Sequence, residues 1–327
     1  MEPVPDGAPV LLVGERAWDE IRERAEGALP GIRAVTYGGP DPLPAEALAE
    51  VTIGYFSGDT WPSAVAGMAR SLLRASVQRL SWVQSFSAGV DNEVFTRLLD
   101  NGVRLTTASG TSASPIAQTV VMYMLALSRD LRGFMRDQDA HRWNTREIDE
   151  LDGAGLAVVG MGPIGTEVAR LGMALGMRVE VVRRRPGADG EPWTTRSFAD
   201  LHGVLGRAEW VVCALPLVDG TRGLFGAAEF AAMRRGARFV NVGRGDLVDE
   251  PALVAALQSG HLGGAGLDVF AVEPLPTESP LWAMDNVIVT SHSSGESRRA
   301  EERTHALFLD NLRRWAAGQP LVNEVVR

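Results

Sequence analysis

The sequence has one cysteine, no apolar run of membrane-spanning length, and fewer basic than acidic side chains. The lone thiol, Cys213, excludes an intramolecular disulfide and any cysteine-rich metal site, and no metal is expected. The longest apolar stretch, VVMYMLAL at 120–127, falls far short of the ~20 residues that cross a bilayer. The N-terminus, MEPVPDGAPVLLVG, has no basic segment ahead of its short apolar run, so it does not read as a secretory signal. With 32 basic and 41 acidic residues the formal net charge is −9, which argues against a broad nucleic-acid footprint. These absences describe a soluble cytoplasmic protein whose partners are neither membranes nor nucleic acids.

A chain of 327 residues is too long for one comfortable core, so two domains are expected. Short apolar runs alternate with amphipathic segments almost throughout, the pattern of an α/β fold with parallel sheets. In the first third, candidate strands lie at 9–14, 32–38, 51–58, 80–90 and 103–109, with helical segments between them. A long helix follows, with Ser114 as N-cap and Pro115 as its first residue, running to about Asp139. A second α/β series starts at Leu156, its strands reading LAVVGMG, RVEVVRR, EWVVCALP, RFVNVGRG, GAGLDVF and NVIVTSH. Strands this continuous in apolar residues are expected where helices cover both faces of a sheet. A final helix is expected over about 294–317, ending at Gly318.

The first strand of the second series runs into VVGMGPIG, a G-x-G-x-x-G turn at Gly160, Gly162 and Gly165. After a strand and before a helix, such a turn is a dinucleotide motif. Its first glycine permits the tight turn, its second lets the backbone approach a pyrophosphate, and its third allows close helix–strand packing. The N–H groups around Pro163, Ile164 and Gly165, at the positive end of the helix, favour the anion. The next strand ends in Arg183, Arg184 and Arg185, and Arg183 stands 18 residues beyond Gly165, where an NAD site places a carboxylate for the ribose 2′-hydroxyl. Guanidinium groups bind phosphate through paired hydrogen bonds, so this strand end predicts NADPH (NADP) in preference to NADH (NAD). Arg183 and Arg184 are the expected contacts, and Arg185 is expected to face solvent.

Three later strand ends carry Arg244 in VNVGRGDLVDE, Glu273 in GLDVFAVEPLP and His292 in VIVTSHSSG. Parallel α/β sheets bind ligands at the C-terminal ends of their strands. Reduction of a 2-oxo acid needs a fixed cation, an acid and a group that tunes the acid. Arg244 can hold the substrate carboxylate and polarise the carbonyl, and His292 can donate the proton. Glu273, on the other ring nitrogen, would favour the imidazolium. Each residue alone has an ordinary structural reading; three of them on three strand ends beyond a nucleotide motif make a site.

These segments together resemble the D-isomer-specific 2-hydroxyacid dehydrogenase family, and the resemblance covers most of the chain. It rests on SAGVDN (87–92), LALSRDL (125–131), the glycine turn, LPLVDGTRGLF (215–225), the whole of 240–276, and SPLWAMDNVIVTSHSSG (279–295). The spacings of Arg244, Glu273 and His292, 29 and 19 residues, are also similar to the family's. The resemblance implies two Rossmann-like domains. A flavodoxin-like substrate domain, 1–110 and 296–327, would be interrupted by a dinucleotide-binding domain, 111–295. It implies that Ala88, Gly89 and Val90 offer backbone N–H groups to the substrate carboxylate. Asp268 would hold the nicotinamide carboxamide, and Pro216, Thr221 and Val242 would lie along the cofactor. It implies a homodimer through the long helix and the arm after it, 114–145.

The chain departs from the family pattern in having Ser291 where a proline often precedes the histidine, and Ala117–Gln118 where Ala-Glu is common. The end at residue 327 speaks against the long, serine-regulated phosphoglycerate dehydrogenases, and Glu273 against formate dehydrogenases, which carry Gln there. The expected function is NADPH-preferring reduction of a small 2-oxo acid, glyoxylate or hydroxypyruvate first, to the D-2-hydroxy acid. The alternatives are an NAD-dependent dehydrogenase of a bulkier acid and a dinucleotide-sensing, corepressor-like binding module.

Overall fold

A computed structural model describes residues 8–61, 63–184, 187 and 190–326. The chain forms two compact units, Met1–Thr111 with Ser297–Arg327, and Ser112–Glu296.

The first unit opens with β1 (Val10–Gly14), buried over its full length, and α1 (Glu15–Ala28). Helix α1 buries Ala17, Ile21 and Ala25, a four-residue spacing that makes one stripe. There follow β2 (Arg33–Tyr37), α2 (Ala45–Leu48), β3 (Ile53–Phe56), α3 (Val65–Ser76), β4 (Trp82–Ser85), α4 (Glu93–Asp100) and β5 (Arg104–Thr106). Asn92 caps α4 by accepting from Val94 N. The strands form a parallel sheet in the order β2-β1-β3-β4-β5. The strand expected over 80–90 is confined to β4. Beyond Ser85 the chain turns on Ser87, whose Oγ accepts from Gly89 N at 3.2 Å, so local side-chain bonding replaces the ladder.

The second unit starts with α5 (Ala113–Ser128) and α6 (Leu131–Asp139). One helix over 114–139 was expected; the structure holds two. Asp130 sits at φ 46 and caps α6 through Gly133 N, while Arg146 bonds both Asp130 and Asp137. A polar cluster of this kind outcompetes continuation of the helix. The N-cap is Ser112, not Ser114, and Pro115 falls in the first turn, where its missing N–H removes no helical bond.

The remaining elements are β6 (Gly155–Val159), α7 (Pro163–Ala174), β7 (Arg178–Val182), β8 (Thr194–Arg196), α8 (Leu201–Leu205), β9 (Trp210–Cys213), α9 (Ala227–Ala232), β10 (Arg238–Asn241), α10 (Glu250–Gln258), β11 (Gly264–Leu267) and β12 (Val287–Val289). They form a parallel sheet in the order β12-β11-β10-β9-β6-β7-β8. Strand β8 was not anticipated: its three residues, Thr-Thr-Arg, are polar and pair only with β7 at the sheet edge. Apolar clusters cover both faces, one around Phe225, Phe230 and Phe239, the other around Trp210, Val158 and Tyr123. Cys213 lies in the first of these, and burial pushes its thiol up to about 12, so it stays protonated and inert.

The chain closes in the first unit with α11 (Arg298–Ala316), capped by Ser297 through Ala300 N rather than starting at 294. Phe308 stacks on Tyr55 at 4.3 Å and on Trp82 at 5.8 Å. Buried His305 links Tyr55 OH (2.7 Å) to Glu20 (3.1 Å), so a polar relay fixes the helix register that the aromatic stack stabilises. Among the described residues no helix is long and apolar enough to cross a membrane.

Candidate active site

The sheet order of the second unit reverses at β6, whose neighbours are β7 on one side and β9 on the other. The crevice beyond the strand ends at such a switch point is where α/β sheets take nucleotides. The glycine turn leaves β6 there, and its three glycines have separate reasons to lack a side chain. Gly160 is left-handed at φ 106, and a Cβ on it would fall 2.6 Å from Ala214 O. A Cβ on Gly165 would fall 1.9 Å from Gly160 O. A Cβ on Gly162 would meet no atom within 4 Å. Packing thus demands the outer two, whereas at Gly162 the missing side chain leaves room over the N-terminus of α7, where a pyrophosphate fits. Pro163 is the first residue of α7, and Ile164 packs on the adjacent core. Val242 is buried, and Thr221 Oγ1 donates to Pro216 O at 2.8 Å, so these two residues shape their own turn.

The arginine-bearing strand end differs from the open phosphate clamp that was expected. Arg183 Nη2 donates to Glu191 Oε1 at 2.5 Å, and both side chains are about four-fifths buried. Thr195 Oγ1 holds the other oxygen of Glu191 at 2.8 Å. Among the described residues, Arg183 Nε is buried without a hydrogen-bond partner. Arg184 is exposed, and Arg185 lies outside the described residues. Glu191 had no signal in the sequence, since it is one of two acids in a short glycine-bearing loop with no motif around it. Every basic side chain here besides histidine is a guanidinium, because the sequence contains no lysine.

Strands β10, β11 and β12 are neighbours, with Asn241, Leu267 and Val289 in register at their C-terminal ends. Arg244, Glu273 and His292 follow these ends. Arg244 is held at its carbonyl by Asn241 Nδ2 (3.0 Å), and its Nη1 donates to Gly243 O (2.8 Å). Its flanking glycines are required by close packing: a Cβ would strike Leu247 from Gly243 and the Phe270 carbonyl from Gly245. Glu273 accepts from Phe270 N through Oε1 (3.0 Å), and its Oε2 lies 2.7 Å from His292 Nδ1. His292 itself is left-handed at φ 52, with its N–H on Asp268 O at 2.8 Å. The pair is only partly buried, at 43% and 35% side-chain exposure, so solvent and small molecules reach it. With Nδ1 on Glu273, Nε2 is the other ring nitrogen of the half-exposed imidazole.

Asp268 differs from expectation. It is 1% exposed, and its carboxylate accepts from Thr290 Oγ1, Ser293 N, Ser294 N and Ser294 Oγ. Those donors fill the acceptor capacity of a carboxylate, so a nicotinamide carboxamide would have to displace one. In the first unit, the loop Ala88–Gly89–Val90 follows β4, and the Gly89 amide is already engaged by Ser87 Oγ.

A nucleotide cradle and a histidine–carboxylate pair at one end of a parallel sheet are the working parts of a nicotinamide-dependent oxidoreductase. The model for the NAD-binding domain of the D-isomer specific 2-hydroxyacid dehydrogenases matches residues 121–294, and the chain belongs to that family. It is 34% identical over 249 residues to glyoxylate/hydroxypyruvate reductase B of Citrobacter koseri, covering 74% of this chain and 76% of the relative. A D-isomer specific 2-hydroxyacid dehydrogenase from Xanthobacter autotrophicus Py2, solved with NADPH and MES, superposes with a TM-score of 0.80 at 32% identity, over 98% of each chain. An NADPH-dependent glyoxylate/hydroxypyruvate reductase from Sinorhizobium meliloti, solved with NADP and sulfate, gives a TM-score of 0.80 at 30% identity, again over 98% of each chain. The fold is that of two Rossmann-like domains, and the protein is an NAD(P)-dependent oxidoreductase.

Proposed function

We propose that the protein is an NADPH-preferring reductase of small 2-oxo acids, of the glyoxylate and hydroxypyruvate class, that forms the D-2-hydroxy acid in the cytoplasm. The observation that carries the chemistry is the His292–Glu273 contact at 2.7 Å, on strand ends adjacent to that of Arg244. Bound NADPH supplies the hydride. His292 Nε2 gives its proton to the carbonyl oxygen as that oxygen gains charge, while the Glu273 carboxylate holds the ring through Nδ1. Arg244 pairs with the substrate carboxylate and draws electron density from the carbonyl. On this reading the cofactor domain expected over 111–295 corresponds to the second unit, Ser112–Glu296, and the substrate domain expected over 1–110 and 296–327 to the first, Met1–Thr111 with Ser297–Arg327. Ala88, Gly89 and Val90 serve the substrate, with the Gly89 amide the least available of the three.

The cofactor preference rests on Arg183 and Arg184, and the two structural relatives described with NADPH or NADP support it. Glu191 favours the second reading, an NAD-dependent dehydrogenase of a bulkier acid, because a carboxylate beside Arg183 can accept from a ribose hydroxyl. The first assay follows NADPH oxidation with glyoxylate and with hydroxypyruvate, and the hydroxypyruvate product is resolved by chiral chromatography. Turnover of both acids, glyoxylate to glycolate and hydroxypyruvate to D-glycerate, is the expected result. Turnover only of larger acids with NADH would establish the second reading instead.

The protein is also proposed to be a homodimer. Met122, Leu125, Leu131, Phe134, Met135, Trp143 and Ile148 are exposed apolar residues between positions 122 and 148, and Trp143 is 97% exposed. Single exposed hydrophobics are ordinary, but a cluster along one helix pair and its following arm marks a protein interface. Light scattering is expected to give twice the chain mass, and Leu125→Glu with Met135→Glu to give the monomer. A wild-type monomer at micromolar concentration refutes the dimer.

A further inference from the structure

The turn that carries His292 is tied to helix α5 by a hydrogen-bond chain outside both the glycine motif and the catalytic trio. Tyr123 of α5 is fully buried, with its hydroxyl on Thr290 Oγ1. Thr290 Oγ1 in turn lies 2.5 Å from Asp268 Oδ1. A carboxylate only accepts, so Thr290 directs its hydrogen to Asp268 and its oxygen accepts from Tyr123. Burial raises the Tyr123 phenol above its ordinary value, so it keeps the proton it donates. The place of Tyr123 is built from two elements, because a Cβ on Gly266 of β11 would fall 2.5 Å from Tyr123 Cγ.

On its other side Asp268 holds the turn itself. Its carboxylate accepts from Ser293 N (3.1 Å) and Ser294 N (3.2 Å), and its carbonyl accepts from His292 N (2.8 Å). Between these anchors His292 takes φ 52, a conformation uncommon for side-chain-bearing residues, and the bonds to Asp268 on either side hold it there. Release of Asp268 would therefore let the turn relax and carry the ring off Glu273.

We propose that Tyr123 and Thr290 are positioning residues for His292, acting through Asp268 to hold the left-handed turn that keeps Nδ1 on Glu273. This rests on the reading of His292 as the acid–base group. It also joins the helix offered for dimer contact to the reacting end of the sheet, since Met122 and Leu125 flank Tyr123 in sequence on α5.

The test compares full-length Tyr123→Phe, Thr290→Val and Thr290→Ser with wild type. Steady-state reduction is measured with NADPH varied at saturating glyoxylate. The low-field ring N–H proton signal of His292 is followed by NMR and identified by its loss in His292→Gln. Misplacement of a reacting group by an ångström is costly, so Tyr123→Phe and Thr290→Val are expected to lower kcat by ~10-fold or more. The KM for NADPH should change by less than ~2-fold, because the cradle is untouched. Thr290→Ser keeps the hydroxyl and should keep both the rate and the signal, while the other two lose or broaden the signal. An unchanged signal and rate in Tyr123→Phe overturns the proposal, whatever happens to its melting temperature. Equal losses in Thr290→Ser and Thr290→Val also overturn it. A signal lost without loss of turnover upholds the positioning role and refutes His292 as the proton donor.

Discussion

His292→Asn is expected to lower kcat for 2-oxo acid reduction by ~10²- to 10⁴-fold, the usual contribution of a positioned general acid. NADPH binding, read by fluorescence titration, should stay as in wild type, because the glycine cradle belongs to a different strand end. Asparagine retains a donor but cannot release a proton, so the variant separates hydrogen bonding to the carbonyl from proton transfer. Glu273→Gln is expected to cost less, ~10-fold, since glutamine can still accept from Nδ1 yet brings no charge to stabilise the imidazolium. With the amide oxygen on Nδ1, the amide NH2 replaces Oε1 opposite the Phe270 N–H, so the loss includes that broken contact as well as the charge. Wild-type rates in His292→Asn would mean that the proton comes from elsewhere, and the trio would lose its acid.

The double variant Arg183→Asp/Arg184→Ala is expected to lower the NADPH/NADH ratio of kcat/KM by ~10-fold or more, as two charge-assisted bonds to the 2′-phosphate are lost. Glu191 gives this experiment a second arm. It now takes one donor of Arg183, and a 2′-phosphate must share that guanidinium with it. Glu191→Gln should therefore move the ratio the other way, toward NADPH. If wild type prefers NADH, Glu191→Gln should weaken NADH instead. The carboxylate would then be the ribose acceptor, carried by the loop and not by the strand.

Much of the fold was legible because its signals are local. Apolar runs such as VLLVG and WVVC are buried strands wherever they occur in a two-layered parallel sheet. The glycine turn was legible because a left-handed Gly160 and a helix-start Pro163 are demands of adjacent residues. Short β8 was not legible: Thr-Thr-Arg has neither length nor alternation, and only the edge of β7 makes it a strand. The division of the long helix depended on Arg146, which reaches back 16 residues to Asp130.

At the site, the sequence by itself determined which side chains follow which strand ends, and hence that Arg244, Glu273 and His292 each follow the end of a strand. That follows from period and order along the chain, which need no knowledge of side-chain direction. That those strands are neighbours comes from the sheet order. Only the tertiary structure decided what each polar group is bonded to. It set Glu191 against Arg183, filled the Asp268 carboxylate from its own turn, and hung that turn on Tyr123, 167 residues from Thr290. Hydrogen bonds between distant residues depend on how loops fold back on the sheet. No periodicity in the sequence encodes that.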